Sequence, residues 1–311
     1  MRILITGGAG CLGSNLIEHW QPQGHDILAM DNFATGPRDA LAGIPGLKIV
    51  EGSIADRALV EKVFAEFQPT HVVHSAAAYK DPNDWSEDAA TNVLGSIHVV
   101  EAARRCGVRR FINFQTALCY GQPQVLPIPL DHPCRPIGSY GISKLAGENY
   151  VALSGLPYLS IRLASVIAPR LTIGAIPTFY TRLKAGKAVF CTTAIRDFLD
   201  VSDFFSFIDL AMAEDAPTGT FNLGPGVGHS IGDVLHAVAS VLGVKLPEAL
   251  DIRPVGDDDV QTVILDPKQA QQAFGWAPKI GFGDAIARMV SWYDANGVSA
   301  IHSHLKPVGR A

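Results

Sequence analysis

Cysteine is scarce in this sequence, and long apolar runs are absent. The 311 residues include five cysteines, none in a CxxC pair, at positions 11, 106, 119, 134 and 191. An odd number of scattered cysteines is typical of a protein whose thiols stay reduced. The first apolar run ends at Gly7, too early for a signal-peptide core, and no stretch approaches the roughly 18 apolar residues that a membrane helix needs. We therefore expect a cytoplasmic protein.

Neither charge sign predominates strongly. The chain has 25 lysines and arginines against 30 aspartates and glutamates, which gives a formal net charge of -5. This balance argues against a dedicated nucleic-acid surface or an anionic-membrane surface. Hydrophobic residues make up 48% of the chain and charged residues 18%, which excludes disordered and fibrous classes. We expect a globular protein whose partner is a small molecule, without nucleic-acid or membrane partners.

Several other signals are missing. No Ser/Gly/Pro-rich spacer or internal repeat divides the chain, and no GxSxG motif suggests a hydrolase. His302 and His304 form an HxH pair, but no cluster of Cys, Asp or Glu accompanies them. A metal site needs such a cluster, so we expect none.

The N-terminal half alternates β-rich runs with helical patterns, such as the spacing of Leu12, Leu16 and Trp20. The predicted strands are 2–5, 26–30, 47–51, 71–75, 111–115 and 159–162. Alternation of this kind predicts an α/β fold with a doubly wound parallel sheet.

The regular alternation of strands and helices ends after about Pro169, where prolines break the chain into short elements. We expect a nucleotide-binding lobe at 1–168, with a returning segment around 200–227. A smaller mixed substrate lobe is expected at 169–311.

A glycine-rich loop follows the first predicted strand. Gly7, Gly10 and Gly13 form a GxxGxxG pattern. Without Cβ atoms the backbone can approach a pyrophosphate, whose charge the amides at the next helix N-terminus can solvate. Asp31 ends the second predicted strand, where its carboxylate can bind an adenosine ribose and would repel a 2'-phosphate. Asn32 supplies no compensating cation, so NAD is favoured over NADP; the alternatives are ordinary turn glycines and a capping aspartate.

Tyr140 and Lys144 form a YxxxK motif, which places a phenol and an ammonium on one face of a helix. Free tyrosine has a pKa of about 10. A nearby lysine and a positively charged nicotinamide would both favour the phenolate, which makes Tyr140 a usable proton acceptor. Thr116 ends the fifth predicted strand, where its hydroxyl could bridge a substrate alcohol and the phenolate. YxxxK alone also arises by chance on surfaces; the combination with the glycine loop and Asp31 predicts catalysis.

These motifs together resemble the extended short-chain dehydrogenases/reductases of the NAD-dependent epimerase/dehydratase family, and nucleotide-sugar epimerases of the UDP-glucose 4-epimerase type in particular. The resemblance runs through nearly the whole chain. Further matching segments are Asp31-Asn32-Phe33-Ala34-Thr35-Gly36, His74-Ser75-Ala76-Ala77-Ala78, Asn92-Val93-Leu94-Gly95, Arg196-Asp197-Phe198, Asn222-Leu223-Gly224 and Phe274-Gly275-Trp276-Ala277-Pro278.

The resemblance implies a Rossmann fold, a homodimer and a set of ligand contacts. The implied NAD-binding residues are Gly7, Gly10, Cys11, Leu12, Gly13, Asp31, Asn32, Ser53, Ile54, Ser75, Ala76, Ala77, Asn92, Tyr140 and Lys144. The implied substrate-binding residues are Tyr79, Thr116, Ser165, Arg196 and Arg253. Of these, the two arginines match positions that grip the diphosphate, which suits the affinity of guanidinium for phosphate oxygens.

Three positions depart from the family pattern. Ser53 stands where an aspartate toward adenine is common, Ser165 replaces an asparagine, and Gln115 replaces a frequent serine. Adenine recognition and the substrate contact at Ser165 are therefore open.

The resemblance implies epimerisation at C4 of a nucleotide sugar, with a UDP-sugar expected, through a 4-keto intermediate. It implies Thr116, Tyr140 and Lys144 as the catalytic residues. The alternatives are a related dehydratase, decarboxylase or 4-ketoreductase, and a non-catalytic NAD-binding regulator. Ala117 and Leu118 stand where the family's 4,6-dehydratases carry an aspartate and a glutamate. Neither side chain can exchange a proton, which favours the epimerase. The nucleotide, the sugar and the substituent at C6 are not determined by the sequence.

Overall fold

A computed structural model describes residues 1–79, 81–298 and 301. His302 and His304 lie outside the described residues. The strands are β1 (Arg2–Thr6), β2 (Asp26–Asp31), β3 (Lys48–Glu51), β4 (His71–His74), β5 (Arg110–Thr116), β6 (Tyr158–Leu163), β7 (Ser165–Ile167), β8 (Phe190–Thr192), β9 (Ile195–Asp200), β10 (Gly219–Leu223), β11 (Gly228–Ser230), β12 (Asp251–Arg253) and β13 (Thr262–Val263).

The helices lie mostly between these strands. They are α1 (Cys11–Trp20), α2 (Arg57–Phe67), α3 (Trp85–Asp88), α4 (Ser96–Cys106), α5 (Ser139–Leu153), α6 (Ala175–Lys184), α7 (Val201–Ala211), α8 (Ile231–Leu242), α9 (Lys268–Phe274) and α10 (Phe282–Asn296). A π-helical stretch, Ala89–Gly95, joins α3 to α4, and a 3-10 turn, Ala117–Tyr120, follows β5. Within the described ranges, no helix is both long enough and apolar enough to cross a bilayer.

The central sheet has seven strands in the order β10-β6-β5-β4-β1-β2-β3, all parallel. All six predicted strands are present, and the prediction of a doubly wound parallel sheet is confirmed. The order reverses between β1 and β4, where loops diverge and a ligand crevice forms at the carboxyl ends of the strands.

Both faces of the sheet are covered by helices, because its strands are apolar on both sides. Ile3 and Ile5 of β1 belong to a buried cluster with α1 and α7. Leu4, between them, belongs to a second cluster with α2 and α4. The alternation along one strand places successive side chains in opposite cores. The ends of the strands are therefore held rigidly for ligand binding.

The C-terminal part of the chain builds a smaller lobe and also returns to the central sheet. β9 pairs with β7, β11 and β13, and β8 pairs with β12. A third cluster packs α6, α8 and α10 together. α7 and β10 instead pack on the central sheet, where β10 is the edge strand beside β6. The segment that carries α7 and β10 lies within the predicted return at 200–227.

Candidate active site

The loop between β1 and α1 is packed so closely that side chains are excluded from it. Gly7 has a φ of 69°, and a Cβ on it would lie 2.6 Å from the backbone nitrogen of Ala76. A Cβ on Gly13 would overlap the carbonyl oxygen of Gly7 and lie 2.9 Å from Gly8 Cα. Gly10 precedes α1 in an extended conformation. The loop therefore presents bare backbone and a helix N-terminus to the crevice, as a pyrophosphate site requires.

Asp31 stands at the end of β2 beside this loop. It is buried, and its carboxylate accepts hydrogen bonds from the backbone nitrogens of Ala9 (2.8 Å) and Phe33 (2.7 Å). Burial raises the pKa of Asp31, while backbone amide hydrogen bonds, including one from Gly10, oppose the rise. The carboxylate is thus fixed at the strand end, and its remaining lone pairs can accept from ribose hydroxyls.

A cleft of about 230 Å³ runs from the glycine loop past the ends of β2, β3 and β4. The predicted cofactor residues that line it are Gly7, Gly10, Asp31, Asn32, Ser53, Ile54, Ser75, Ala76 and Ala77. No lysine or arginine among the described residues lines the cleft. The residues fit a dinucleotide, because the glycine loop, which has no room for Cβ atoms at Gly7 and Gly13, lies beside the fixed carboxylate of Asp31. The absence of a lining cation favours NAD over its 2'-phosphorylated form.

Two predicted cofactor residues on α1 point away from the cleft lining. Cys11 is the first residue of α1, and its Sγ donates a hydrogen bond to the carbonyl oxygen of Pro169 at 3.4 Å. Burial raises the pKa of Cys11 to about 12, so the thiol stays protonated. Leu12 packs against the core cluster that includes α1. Asn15 donates to Pro169 as well, at 2.8 Å. These contacts tie the start of α1 to the beginning of the C-terminal lobe.

The predicted catalytic residues lie at the carboxyl end of β5 and on α5, which packs against that strand. Thr116 ends β5, Tyr140 is the second residue of α5, and Lys144 follows one helical turn later. Lys144 Nζ donates to the Phe114 carbonyl oxygen at 2.7 Å, and Gln115 Nε2 donates to the Lys144 carbonyl oxygen at 2.8 Å. These two bonds hold α5 against β5. The phenol and ammonium are therefore fixed beside the strand end that carries Thr116.

The Thr116 hydroxyl also has a local role. Its Oγ1 accepts a hydrogen bond from the Leu118 nitrogen at 3.2 Å, which caps the 3-10 turn after β5. A hydroxyl that accepts one bond can still donate its proton elsewhere. Thr116 can therefore bridge a substrate alcohol and Tyr140 without breaking the turn.

Burial is the main influence on the pKa values of Lys144 and Tyr140. Burial lowers the pKa of Lys144 to about 8, against the opposing influence of Glu148. Burial raises the pKa of Tyr140, and Tyr79 and Asp88 raise it further. The predicted effect of Lys144 and of a bound nicotinamide on the Tyr140 phenolate stays a prediction. Burial raises the pKa of Tyr140 because removal from water disfavours the charged phenolate.

Tyr79 and Asp88 are the other ionisable side chains close to Tyr140. The rings of Tyr79 and Tyr140 meet edge to face, with centroids 6.4 Å apart, and the Tyr79 hydroxyl donates to Thr35 Oγ1 at 3.3 Å. Asp88 ends α3, is 3% exposed and hydrogen-bonds with Ser139, which precedes Tyr140. Our sequence reasoning missed Asp88. The sequence feature that could have pointed to Asp88 is its place in the acidic segment after β4. Its approach to α5 becomes visible only in the folded structure.

Asn92 lies in the π-helical stretch and joins two parts of the site. Its Oδ1 accepts from the Ala78 nitrogen at 2.8 Å, and its Nδ2 donates to the Ala78 oxygen at 3.1 Å and to Ser143 Oγ at 3.0 Å. The side chain thus clamps the loop after β4 to α5. A π-helical turn inside a helix is a common way to aim one side chain at a functional site. The predicted place of Asn92 near the nicotinamide stays a prediction.

The predicted substrate residues Ser165, Arg196 and Arg253 lie on β7, β9 and β12 of the smaller lobe. Arg196 is mostly buried, and its Nη2 lies 2.6 Å from Asp259 Oδ1. Arg253 is more exposed; its guanidinium stacks 4.1 Å from the Phe190 ring centroid and pairs with Asp251 at 2.6 Å. Ser165 is exposed. Their contacts with substrate stay predictions.

Comparisons with known proteins find similar sequences and structures over most of the chain. A model of the NAD dependent epimerase/dehydratase family matches residues 3–224. The UDP-glucose 4-epimerase of Corynebacterium glutamicum is 32% identical over 313 residues, covering 90% of this chain and 91% of that protein. The crystal structure of the Bordetella bronchiseptica enzyme WbmG in complex with NAD and UDP is 57% identical, with a TM-score of 0.94, and covers 98% of this chain and 99% of its own. The enzyme WbmH of the same organism, in complex with NAD+, is 40% identical with a TM-score of 0.89, covering 95% and 99%.

Proposed function

Because the chain belongs to the NAD-dependent epimerase/dehydratase family, with NAD as its cofactor, we propose that it inverts C4 of a UDP-linked sugar through a 4-keto intermediate. The observation that carries the proposal is the packing of α5, which bears Tyr140 and Lys144, against β5, which ends at Thr116. A cleft that fits a dinucleotide runs past the glycine loop of the same sheet. Relatives across most of the chain are UDP-glucose 4-epimerases, and WbmG was crystallised with NAD and UDP. These names support the uridine nucleotide and position C4.

Tyr140 is the group that accepts the proton of the C4 hydroxyl, and Thr116 orients that hydroxyl toward it. When bound, NAD supplies the acceptor and then the donor of the C4 hydride, and its positive nicotinamide favours the phenolate. Lys144 adds a second positive charge, held in place by its bond to the Phe114 oxygen. The protein must let the keto sugar present its other face before reduction. The protein must also keep water from the reacting groups; Lys144 is buried and Tyr140 is half-buried before any ligand binds.

The diphosphate of the substrate is assigned to Arg196 and Arg253. Each guanidinium group already has a carboxylate partner: Arg196 pairs with Asp259, and Arg253 pairs with Asp251. A diphosphate carries more charge than a carboxylate and can bind both arginines by paired hydrogen bonds. We expect it to share Arg196 with Asp259, since a bidentate guanidinium has donors for two acceptors.

A dehydratase is the chief alternative, and the residues after Thr116 count against it. Ala117 and Leu118 carry no group that can remove the C5 proton or protonate a leaving hydroxyl. Asp81 and Asp84, which line the cleft, are the carboxylates that could substitute; each also accepts a backbone hydrogen bond in its own turn, from Asn83 (2.9 Å) and Glu87 (3.0 Å). The non-catalytic regulator is disfavoured because sensing NAD requires neither Thr116 nor Tyr140.

The test is incubation of the purified protein with NAD and, in separate reactions, UDP-, GDP-, CDP- and dTDP-linked hexoses. We expect a UDP-sugar product of unchanged mass whose ring-proton couplings at C4 are altered. Tyr140→Phe is the matched control: it keeps the ring and loses the proton acceptor, so turnover should fall by about a hundredfold or more while NAD stays bound. A product lighter by water or carbon dioxide would contradict the epimerase, and an unimpaired Tyr140→Phe would contradict the proposed base.

We further propose a homodimer that acts in the cytoplasm. α5 exposes Ile142, Tyr150 and Leu153 along one side, and Leu94 is exposed before α4. Exposed apolar residues grouped at helical spacing are typical of an interface between subunits. All five cysteines are free thiols, which supports a reducing compartment.

A further inference from the structure

Two of the five cysteines lie beside each other. Cys119 is in the 3-10 turn after β5, and Cys134 lies in the segment that leads into α5. Their Sγ atoms are 4.0 Å apart, although the residues are separated by 15 positions in the chain. The other three thiols lie against oxygen atoms instead; they are Cys11, Cys106 and Cys191. The sulfurs of the pair need to approach by about 2 Å to reach the bonding distance of a disulfide.

The backbone on either side of the pair is already joined. The Arg135 nitrogen donates to the Tyr120 carbonyl oxygen at 3.3 Å. Gly121 has a φ of 66°, and a Cβ on it would overlap the Arg135 carbonyl oxygen. The two segments therefore run in contact directly beyond the cysteines. A disulfide here would need only a local shift, because it would not have to bring distant parts of the molecule together.

The two thiols differ in exposure and in charge environment. Cys119 is buried, whereas Cys134 is half-buried. The hydrogen bond with Cys119 lowers the pKa of Cys134, and burial opposes this effect. The positive charge of Arg162 lowers the pKa of Cys134 as well. This guanidinium is held in place, since it donates to the Tyr120 hydroxyl at 2.9 Å and to Glu148 Oε2 at 2.7 Å. Partly exposed cysteines near a guanidinium are the reactive ones, so an oxidant would meet Cys134 first.

We propose that Cys119 and Cys134 form a modification site for hydroperoxides, which closes into a reversible disulfide and slows turnover. In the first step the Cys134 thiolate attacks one peroxide oxygen. The S–O bond forms, the O–O bond breaks, and the leaving hydroxide takes up a proton to become water. The Cys119 sulfur then attacks the sulfenic acid, loses its proton and displaces the hydroxyl group as a second water. Two thiols are thus oxidised by two electrons, and one hydrogen peroxide is reduced to two waters.

The disulfide would act on the turn that Thr116 caps. Thr116 Oγ1 accepts from the Leu118 nitrogen at the start of this turn, which also contains Cys119. Cys134 lies on the other side of the bond, in the segment that leads to Tyr140. Closure of the disulfide would therefore displace Thr116 relative to Tyr140, and a misplacement of about 1 Å can cost an enzyme a hundredfold in rate. This effect on turnover rests on the proposed function, whereas formation of the disulfide does not.

The experiment treats the reduced protein with hydrogen peroxide, blocks the remaining thiols with iodoacetamide and maps the tryptic peptides. Both cysteines fall in one peptide, 111–144, because Pro136 follows Arg135 and prevents cleavage there. We expect this peptide to be lighter by about 2 Da than its reduced form and to carry no alkyl group. After dithiothreitol it should carry two. Cys106 is the matched internal control, since it is half-buried like Cys134 but lies against oxygens, and it should be oxidised about tenfold more slowly.

A peptide 111–144 that carries two alkyl groups after peroxide treatment would overturn the proposal. Turnover of the oxidised wild type should fall about tenfold or more and recover with dithiothreitol, while Cys134→Ser should keep its turnover in peroxide. An equal loss in Cys134→Ser, or a disulfide that leaves turnover unchanged, would overturn the link to Thr116. A reduced wild type that fails to epimerise UDP-sugars would contradict the proposed function, and the peptide masses would still decide whether the disulfide forms.

Discussion

Asp88 places a carboxylate beside the phenol that must lose a proton. It is buried at the end of α3 and hydrogen-bonds with Ser139, the residue before Tyr140. A negative charge there disfavours the phenolate and raises the pKa of Tyr140, on top of the larger effect of burial. If Tyr140 is the base of the proposed reaction, the positive charge of bound NAD would have to offset these effects before Tyr140 could accept a proton.

Asp88→Asn should make Tyr140 a base at lower pH. Removal of the negative charge lowers the pKa of the phenol, so the acidic limb of the turnover profile should move down by about one pH unit. The measurement is the pH dependence of kcat for UDP-sugar epimerisation. Asp81→Asn is the control, because Asp81 lines the same cleft but is not among the groups that act on Tyr140. An acidic limb at the wild-type position in Asp88→Asn would refute this role.

At the scale of elements, α5 performs two tasks on its two sides. The buried side carries Tyr140, Lys144 and Glu148, and the exposed side carries Ile142 and Leu153. The helix is held by bonds from β5 and by Asn92 through Ser143. Its position thus depends on long-range contacts rather than on its own weakly amphipathic sequence.

The β1–α1 loop gives the element-scale prediction. Gly13→Ala would drive a methyl group against the Gly7 oxygen and the Gly8 Cα, both backbone atoms that cannot rotate away. The loop must widen, which displaces the amides that face the pyrophosphate. We expect at least a tenfold loss of NAD affinity, about 1.4 kcal/mol, by calorimetric titration.

The matched control for this substitution is Gly283→Ala in α10. A Cβ there meets nothing within 4 Å, and its φ is ordinary. NAD affinity should not change, and stability should be equal or slightly higher because alanine favours helix. Wild-type NAD affinity in Gly13→Ala would show that the loop tolerates a side chain.

At the scale of the whole molecule, the proposed homodimer would use the apolar side of α5. Leu153 is 80% exposed at the end of the helix. In a dimer that uses this side of α5, a glutamate at position 153 would be buried without a partner, and burying an unpaired charge costs free energy. In a monomer the glutamate would stay in water, so the substitution should oppose dimer formation. Light scattering after gel filtration should give twice 33.2 kDa for the wild type and 33.2 kDa for Leu153→Glu.

Val227→Glu is the control for assembly. Val227 is also exposed, at 56%, but lies in the loop between β10 and β11, away from α5. This variant should remain dimeric. A dimeric Leu153→Glu, or a monomeric wild type, would exclude α5 as the interface.

Much of this protein could be predicted from its sequence, because the relevant signals are local. The six strands are visible as short β-rich runs, since the inner strands of the sheet are buried on both faces and must be apolar along their length, while the edge strand β3 is largely exposed. The glycine loop and Asp31 are recognisable because a strand, a tight turn and a helix N-terminus adjoin in the chain. The family and its cofactor followed from these motifs, and both are confirmed.

Contacts between residues that are distant in the chain were determined by the tertiary structure alone. The pairing of Arg196 with Asp259 and the approach of Asp88 to Tyr140 depend on long-range packing. The direction of the pKa of Tyr140 is the clearest example. YxxxK spacing places a positive charge one turn away, but desolvation depends on every element packed around the ring. A pKa is set by that whole environment, which no local pattern encodes.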